Sequence, residues 1–78
     1  MTDKLIKMDL ATARKRVKLT QVEAASKIGI TVDTLGNYER GKTFPDIPII
    51  KKIEDVYGTP YGNLIFLPEN YDKTVNRI

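Results

Sequence analysis

TQVEAASKIGITVDTLGNYERGK, residues 20–42, holds two helical signals back to back with a short corner between them. Thr20 precedes Gln21, Val22 and Glu23, so its hydroxyl can accept from the backbone N–H of Glu23 while the Glu23 carboxylate reaches back to the N–H of Thr20. A helix is expected to start there. Ala24, Ala25 and Ile28 give it one apolar face at helical spacing, and Gly29 stands where a residue with positive φ would end it. Thr31 offers a second cap, Leu35 and Tyr38 place the next buried face one turn apart, and Gly41 stops that helix. So short a link cannot lay the second helix antiparallel along the first, so the two must cross steeply.

The small side chains say how they cross. Ala24 and Ala25 carry almost no bulk, so the second helix can approach closely, and Ile28, Ile30, Leu35 and Tyr38 fill the space around the corner. The N-terminal turn of the second helix is then left projecting outward, with Thr31, Val32, Asp33, Thr34 and Asn37 as its short, varied exposed positions. Spacing, small residues, glycines and the Glu39-Arg40-Gly41-Lys42 exit together resemble the helix-turn-helix of the Cro/CI repressor family, also called the XRE family, over roughly residues 8–66. The resemblance implies a lambda-repressor-like DNA-binding domain that reads the major groove with the helix beginning at Thr31.

Punctuation along the chain sets the rest of the organisation. Asp9 is a plausible cap for a first helix over about Leu10 to Val17, with Leu10, Ala13 and Val17 inward and Lys15, Arg16 and Lys18 outward. Thr43-Phe44-Pro45 breaks the pattern after the tandem helices. Asp46 then caps a fourth helix, in which Pro48 near the start loses only an N–H without an intrahelical partner. Ile49, Ile50, Ile53, Val56 and Tyr57 form its apolar stripe, and Gly58 ends it. Thr59-Pro60 opens a short fifth helix carrying Tyr61, Leu64 and Ile65. The expectation is an all-α fold of five short helices around one core, with no segment that alternates well enough for a sheet. Residues 1–67 form the helix-turn-helix domain, and residues 68–78 form a partly ordered C-terminal tail that packs around Tyr71 and loosens beyond it.

Composition narrows the function classes. At 78 residues there is room for one core, near the size at which only about 60% of the unfolded chain's surface is buried. The chain has no cysteine and no histidine, which removes the commonest nucleophile, general base and zinc ligands. No enzyme activity, metal or cofactor is expected. No apolar run is long enough for a membrane span, and no signal-peptide core follows Met1, so the expected location is the cytoplasm. Net charge is +3, but residues 1–44 hold nine Lys and Arg against five acids, and the remainder holds four against five. A domain polarised in this way can turn its basic side to phosphates.

Candidate site residues fall into three groups. In the family pattern an arginine of the first helix pairs with a glutamate near the end of the recognition helix; Arg14 and Glu39 stand at those places, implying a partly buried structural salt bridge. Gln21 resembles the family's phosphate-contacting glutamine, and Arg40, Lys42 and Thr43 follow the recognition helix where the family loop runs along the DNA backbone. Thr31, Val32, Asp33, Thr34 and Asn37 are the base-reading candidates. Asn37 can bond adenine or hold a phosphate, and Val32 can press on a thymine methyl. Asp33 must accept from a cytosine amine or turn away to cap its own helix, and capping, or rejection of wrong sites, is the expectation. Gly36 in mid-helix costs about 1 kcal/mol against alanine and lets a backbone or partner lie close.

Together these readings describe a small prophage-type transcriptional regulator, a repressor of Cro/CI kind, that binds a double-stranded DNA operator as a homodimer. Its dimer surface is expected on the fifth helix and tail, where Tyr61, Leu64, Phe66 and Leu67 either meet a second copy or complete the core. No small-molecule effector is expected, because the chain barely fills its own interior. The alternative is a protein-interaction module, an antitoxin or anti-repressor partner using the same fold, which Asp33 and the modest net charge would suit.

Overall fold

Four polar side chains start the four α-helices of the described residues. In the computed structural model, which describes residues 8–66, Asp9 accepts from the Thr12 amide at 2.9 Å and opens α1 (Leu10–Arg16). Thr20 accepts from the Glu23 amide at 3.1 Å, and Glu23 returns the bond at 2.9 Å to the Thr20 N–H, opening α2 (Gln21–Ile28). Thr31 accepts from the Thr34 amide at 3.1 Å and opens α3 (Val32–Arg40), and Asp46 accepts from the Ile49 amide at 3.2 Å and opens α4 (Ile47–Tyr57). Each bond satisfies a donor that the first helical turn would otherwise strand. The Thr12 amide in turn holds the Asp9 carboxyl below its usual range. Gly29, Gly41 and Gly58 close α2, α3 and α4 with φ of 93°, 77° and 64°, a region other residues enter only under strain.

The helices bury one shared core. Leu10, Ala13, Ala24, Ala25, Ile28, Leu35, Ile53, Tyr57 and Leu64 are all buried, and Leu19, Ile30, Tyr38, Ile49 and Val56 pack around them. Ala24 and Ala25 stand at the corner, where Gly29 and Ile30 both donate to the Ala25 carbonyl and turn the chain directly into α3. Val17 does not join this core. It is the C-cap of α1 and stands exposed, because the chain leaves the helix there through Lys18 at φ 61°.

The C-terminal part of the fold departs from the expected fifth helix. Tyr61–Asn63 make one 3-10 turn, and the chain then extends through a two-residue strand, β2 (Leu64–Ile65). This strand runs parallel to β1 (Met8–Asp9), pairing Met8 with Leu64 and Asp9 with Ile65. Gly62 and Asn63 are weak helix formers, and the Tyr61 N–H donates to the Glu54 carboxylate at 2.6 Å, tying the turn to the end of α4. Among the described residues the fold is thus four α-helices and a two-stranded sheet, not an all-α set of five. Strands of two residues are too short to show alternation, so only the packing of the whole chain reveals them. Leu64, considered for a dimer surface, is 7% exposed and belongs to the core. Tyr61 remains exposed with its ring 5.8 Å from that of Phe66. The expected tail at 68–78 and Leu67 lie outside the described residues.

One ion pair ties the helices together. Arg14 Nε donates to Glu39 Oε2 at 2.7 Å and Arg14 Nη2 to Glu39 Oε1 at 3.3 Å, with the two side chains 11% and 7% exposed. Arg14 Nη1 also donates to the Leu19 carbonyl at 2.9 Å, fixing the turn between α1 and α2. Behind this pair lies Tyr57, fully buried, whose hydroxyl has no partner among the described residues. Burial pushes the Tyr57 phenol up to about 12, with the Glu39 charge adding to the shift and Arg14 opposing it.

Two outcomes follow for stability. Glu39→Gln should cost about 3 kcal/mol in urea unfolding, because it strands a buried guanidinium, whereas the paired change Arg14→Met with Glu39→Leu should return most of the loss. The Tyr57 phenol is raised in the folded state, so its contribution is intact below the ordinary value of about 10 and is lost as pH climbs toward about 12. The urea midpoint should therefore fall over that window, and less steeply in Tyr57→Phe, which should be at least as stable as the parent at neutral pH.

Candidate nucleic-acid interface

The N-terminal turn of α3 is bare. Thr31, Val32 and Asp33 are exposed and Thr34 and Asn37 half-buried, while Leu35 on the opposite face is fully buried. Thr31 is committed to the helix. Besides accepting from the Thr34 amide, its hydroxyl donates to Thr34 Oγ1 at 2.8 Å, which leaves the Thr34 hydroxyl hydrogen free to point elsewhere. Asp33 is not the cap that sequence reading expected, since Thr31 already holds that position. Its carboxylate sits in the first turn, where the helix dipole favours a negative charge.

Gln21, at the start of α2, faces α3. Its Nε2 donates to Glu39 Oε1 at 2.9 Å, so the same carboxylate that binds Arg14 also orients this amide. The second N–H of Gln21 remains available. Further along α3, Arg40 bends back toward the middle of its own helix, and its Nη2 donates to Asn37 Oδ1 at 2.6 Å. Gly36 lies beneath. A Cβ there would stand 3.3 Å from Arg40 Nη1, a tight approach, and 3.9 Å from Gln21 Nε2, an ordinary contact.

The structure thus gathers Gln21, Asn37 and Arg40 around Gly36, with Arg14 and Glu39 behind them. Lys42 and Thr43 are exposed on the exit from α3, where their backbone N–H groups donate to the Asn37 carbonyl at 2.9 and 3.5 Å. The approach of Arg40 to Gly36 and the role of the Leu19 carbonyl as an Arg14 acceptor were not readable from the sequence. A glycine inside an otherwise regular helix was the only signal of the first.

The assembled surface offers mostly hydrogen-bond donors, with no nucleophile and base side by side. Among the described residues no group of acidic, cysteine or histidine side chains could hold a metal ion, and no helix is long and apolar enough to cross a membrane.

Comparison with curated proteins and with solved structures gives no significant match. A family model described as helix-turn-helix matches residues 10–64, well over half of the chain, and spans α1 through the first residue of β2. The capped pair α2 and α3, the tight corner on Ala24 and Ala25, and this match agree: the chain belongs to the Cro/CI-type, or XRE, family of helix-turn-helix DNA-binding regulators.

Proposed function

We propose that this protein is a Cro/CI-like, prophage-type regulator that recognises a specific double-stranded site by inserting the N-terminal part of α3 into the major groove, and that it acts as a homodimer on that DNA. The observation that carries this reading is the exposed first turn of α3, on a helix whose last turn is tied to α1 by Arg14 and Glu39. Thr31, Val32, Asp33, Thr34 and Asn37 are the base-reading set in this proposal, with the Val32 methyls suited to a thymine methyl and the Thr34 hydroxyl free to turn toward a base edge. Gln21, Arg40, Lys42 and Thr43 hold the phosphate backbone on either side. Asn37 Oδ1 already accepts from Arg40, so Asn37 presents its Nδ2 donors outward, which favours acceptor edges over a two-point bond to adenine.

A single module of this size covers little DNA, so two copies on half-sites about one helical turn apart supply the affinity. Family membership does not favour the protein-interaction reading that Asp33 alone would permit.

Selection from random duplex DNA should yield a two-fold related site with half-sites about 34 Å apart. On that site, neutralising about four phosphates per monomer gives a log-log salt slope of about −3.6, roughly doubled for a dimer. Asn37→Ala should relax preference at one base position, whereas Lys42→Ala should weaken all sequences evenly and flatten the slope by about 0.9. Failure to enrich any sequence, with binding unresponsive to salt, would remove the proposal.

A further inference from the structure

We propose that Asp33 selects cytosine: its carboxylate accepts from the major-groove amine hydrogen of one cytosine in the bound duplex and turns away the bases that offer only acceptors at that point. The inference rests on the DNA-binding reading above and names a base that this reading leaves open. Asp33, Asn37 and Arg40 recur at spacings of four and three, so they form one row along α3. Leu35 lies about 200° round the helix from Asp33 and is fully buried, which makes that row the outermost line of α3. Asp33 is exposed there, and Thr31 already holds the cap of the helix. Among the described residues no side chain pairs with the Asp33 carboxylate, since Arg14 is bound to Glu39 and Arg40 to Asn37.

An acid on the outer row of a helix that enters the major groove meets base edges with donors and acceptors of their own. A carboxylate only accepts. Guanine presents N7 and O6 and thymine presents O4, so both repel it, whereas cytosine N4 and adenine N6 each turn one amine hydrogen to the groove. Cytosine is the better fit. Beside the adenine amine stands N7, whose lone pair faces the second carboxylate oxygen, while beside the cytosine amine stands only a C–H. The rest of the row agrees. Asn37 Oδ1 is taken by Arg40, so Asn37 offers donors, with its Cβ about 6 Å from that of Asp33. Next to the amine of a paired cytosine lie O6 and N7 of its guanine, two acceptors for those donors. An acceptor followed by a donor along α3 therefore matches one C·G pair in one orientation, and the reversed pair sets like against like. The dipole of α3 also favours an acid in its first turn, but that preference is indifferent to DNA sequence and so is separable by experiment.

The test uses the full chain and the duplex it selects from random DNA. One position of each half-site should be cytosine, and replacing it by thymine, guanine or adenine should weaken binding about tenfold. Asp33→Ala should erase that preference and leave the other positions and the salt slope unchanged, because no phosphate contact is lost. Asp33→Asn should move the preference at the same position to adenine, whose N6 and N7 suit an amide. N4-methylcytosine at that position, its remaining amine hydrogen engaged by guanine, should weaken the parent about tenfold and leave Asp33→Ala indifferent. Asp33→Ala binding every sequence more tightly by the same factor would reveal plain repulsion of phosphates and overturn the proposal. So would an unchanged base profile in both variants, which is the result for an acid that serves only the helix dipole, or equal weakening by the methyl group with and without Asp33. A parent preference for adenine at the position these variants alter would overturn it as stated. If the parent enriches no sequence, both readings fall, whereas a parent with a defined site that these variants leave untouched removes only the role of Asp33.

Discussion

The bidentate pair between Arg14 and Glu39 is the constraint on which the rest of the structure depends. It joins residues 25 positions apart, and its two side chains connect α1, the turn after α1, the start of α2 and the end of α3. A buried ion pair is weak evidence of net stability, because taking two charges out of water offsets most of their attraction. Its effect here is geometric. With Arg14 spending N–H groups on both Glu39 and the Leu19 carbonyl, the far end of α3 is held against α1, while its first turn stays uncovered.

That fixed end matters for recognition. Ordering a reading helix after contact would cost conformational entropy at the moment of binding, whereas a helix already fastened through its last turn has met that cost in folding. The corner contributes in the same sense. Ala24 and Ala25 let α3 pack close to α2, so the position of the exposed tip follows from small core residues as much as from the polar ones that touch DNA in the proposed complex. Charge is divided by place: Glu39 neutralises Arg14 inside, Asp33 complements the dipole of α3, and Lys42 stands exposed on the exit loop.

Much of this was legible from local signals. All four caps were readable as a polar residue followed three positions later by the amide it accepts, and the three closing glycines were readable as C-caps. The ion pair was legible only through resemblance, since nothing local to Arg14 points to Glu39. What escaped were features set by tertiary closure. Tyr61 and Leu64 have helical spacing, yet Leu64 is buried from an extended strand and Tyr61 donates its amide to Glu54. Val17 continues the apolar period of α1, but the left-handed Lys18 ends the helix without a glycine to announce it. Within the site, exposure of the α3 tip was legible, while the bond from Arg40 to Asn37 depends on rotamers that no spacing rule describes.

The smallest element of the fold has the widest reach along the chain. β1 and β2 contribute two residues each, yet Met8 beside Leu64 ties the beginning of the described chain to its end, with every helix lying between them. Such a closure gains little by itself and bears the entropy of the whole intervening loop, so its stability depends on the helices that bring the two ends together. The pair acts as a clasp on a ring. Fraying of one strand removes the partner of the other, so residues 8–9 and 64–65 open together.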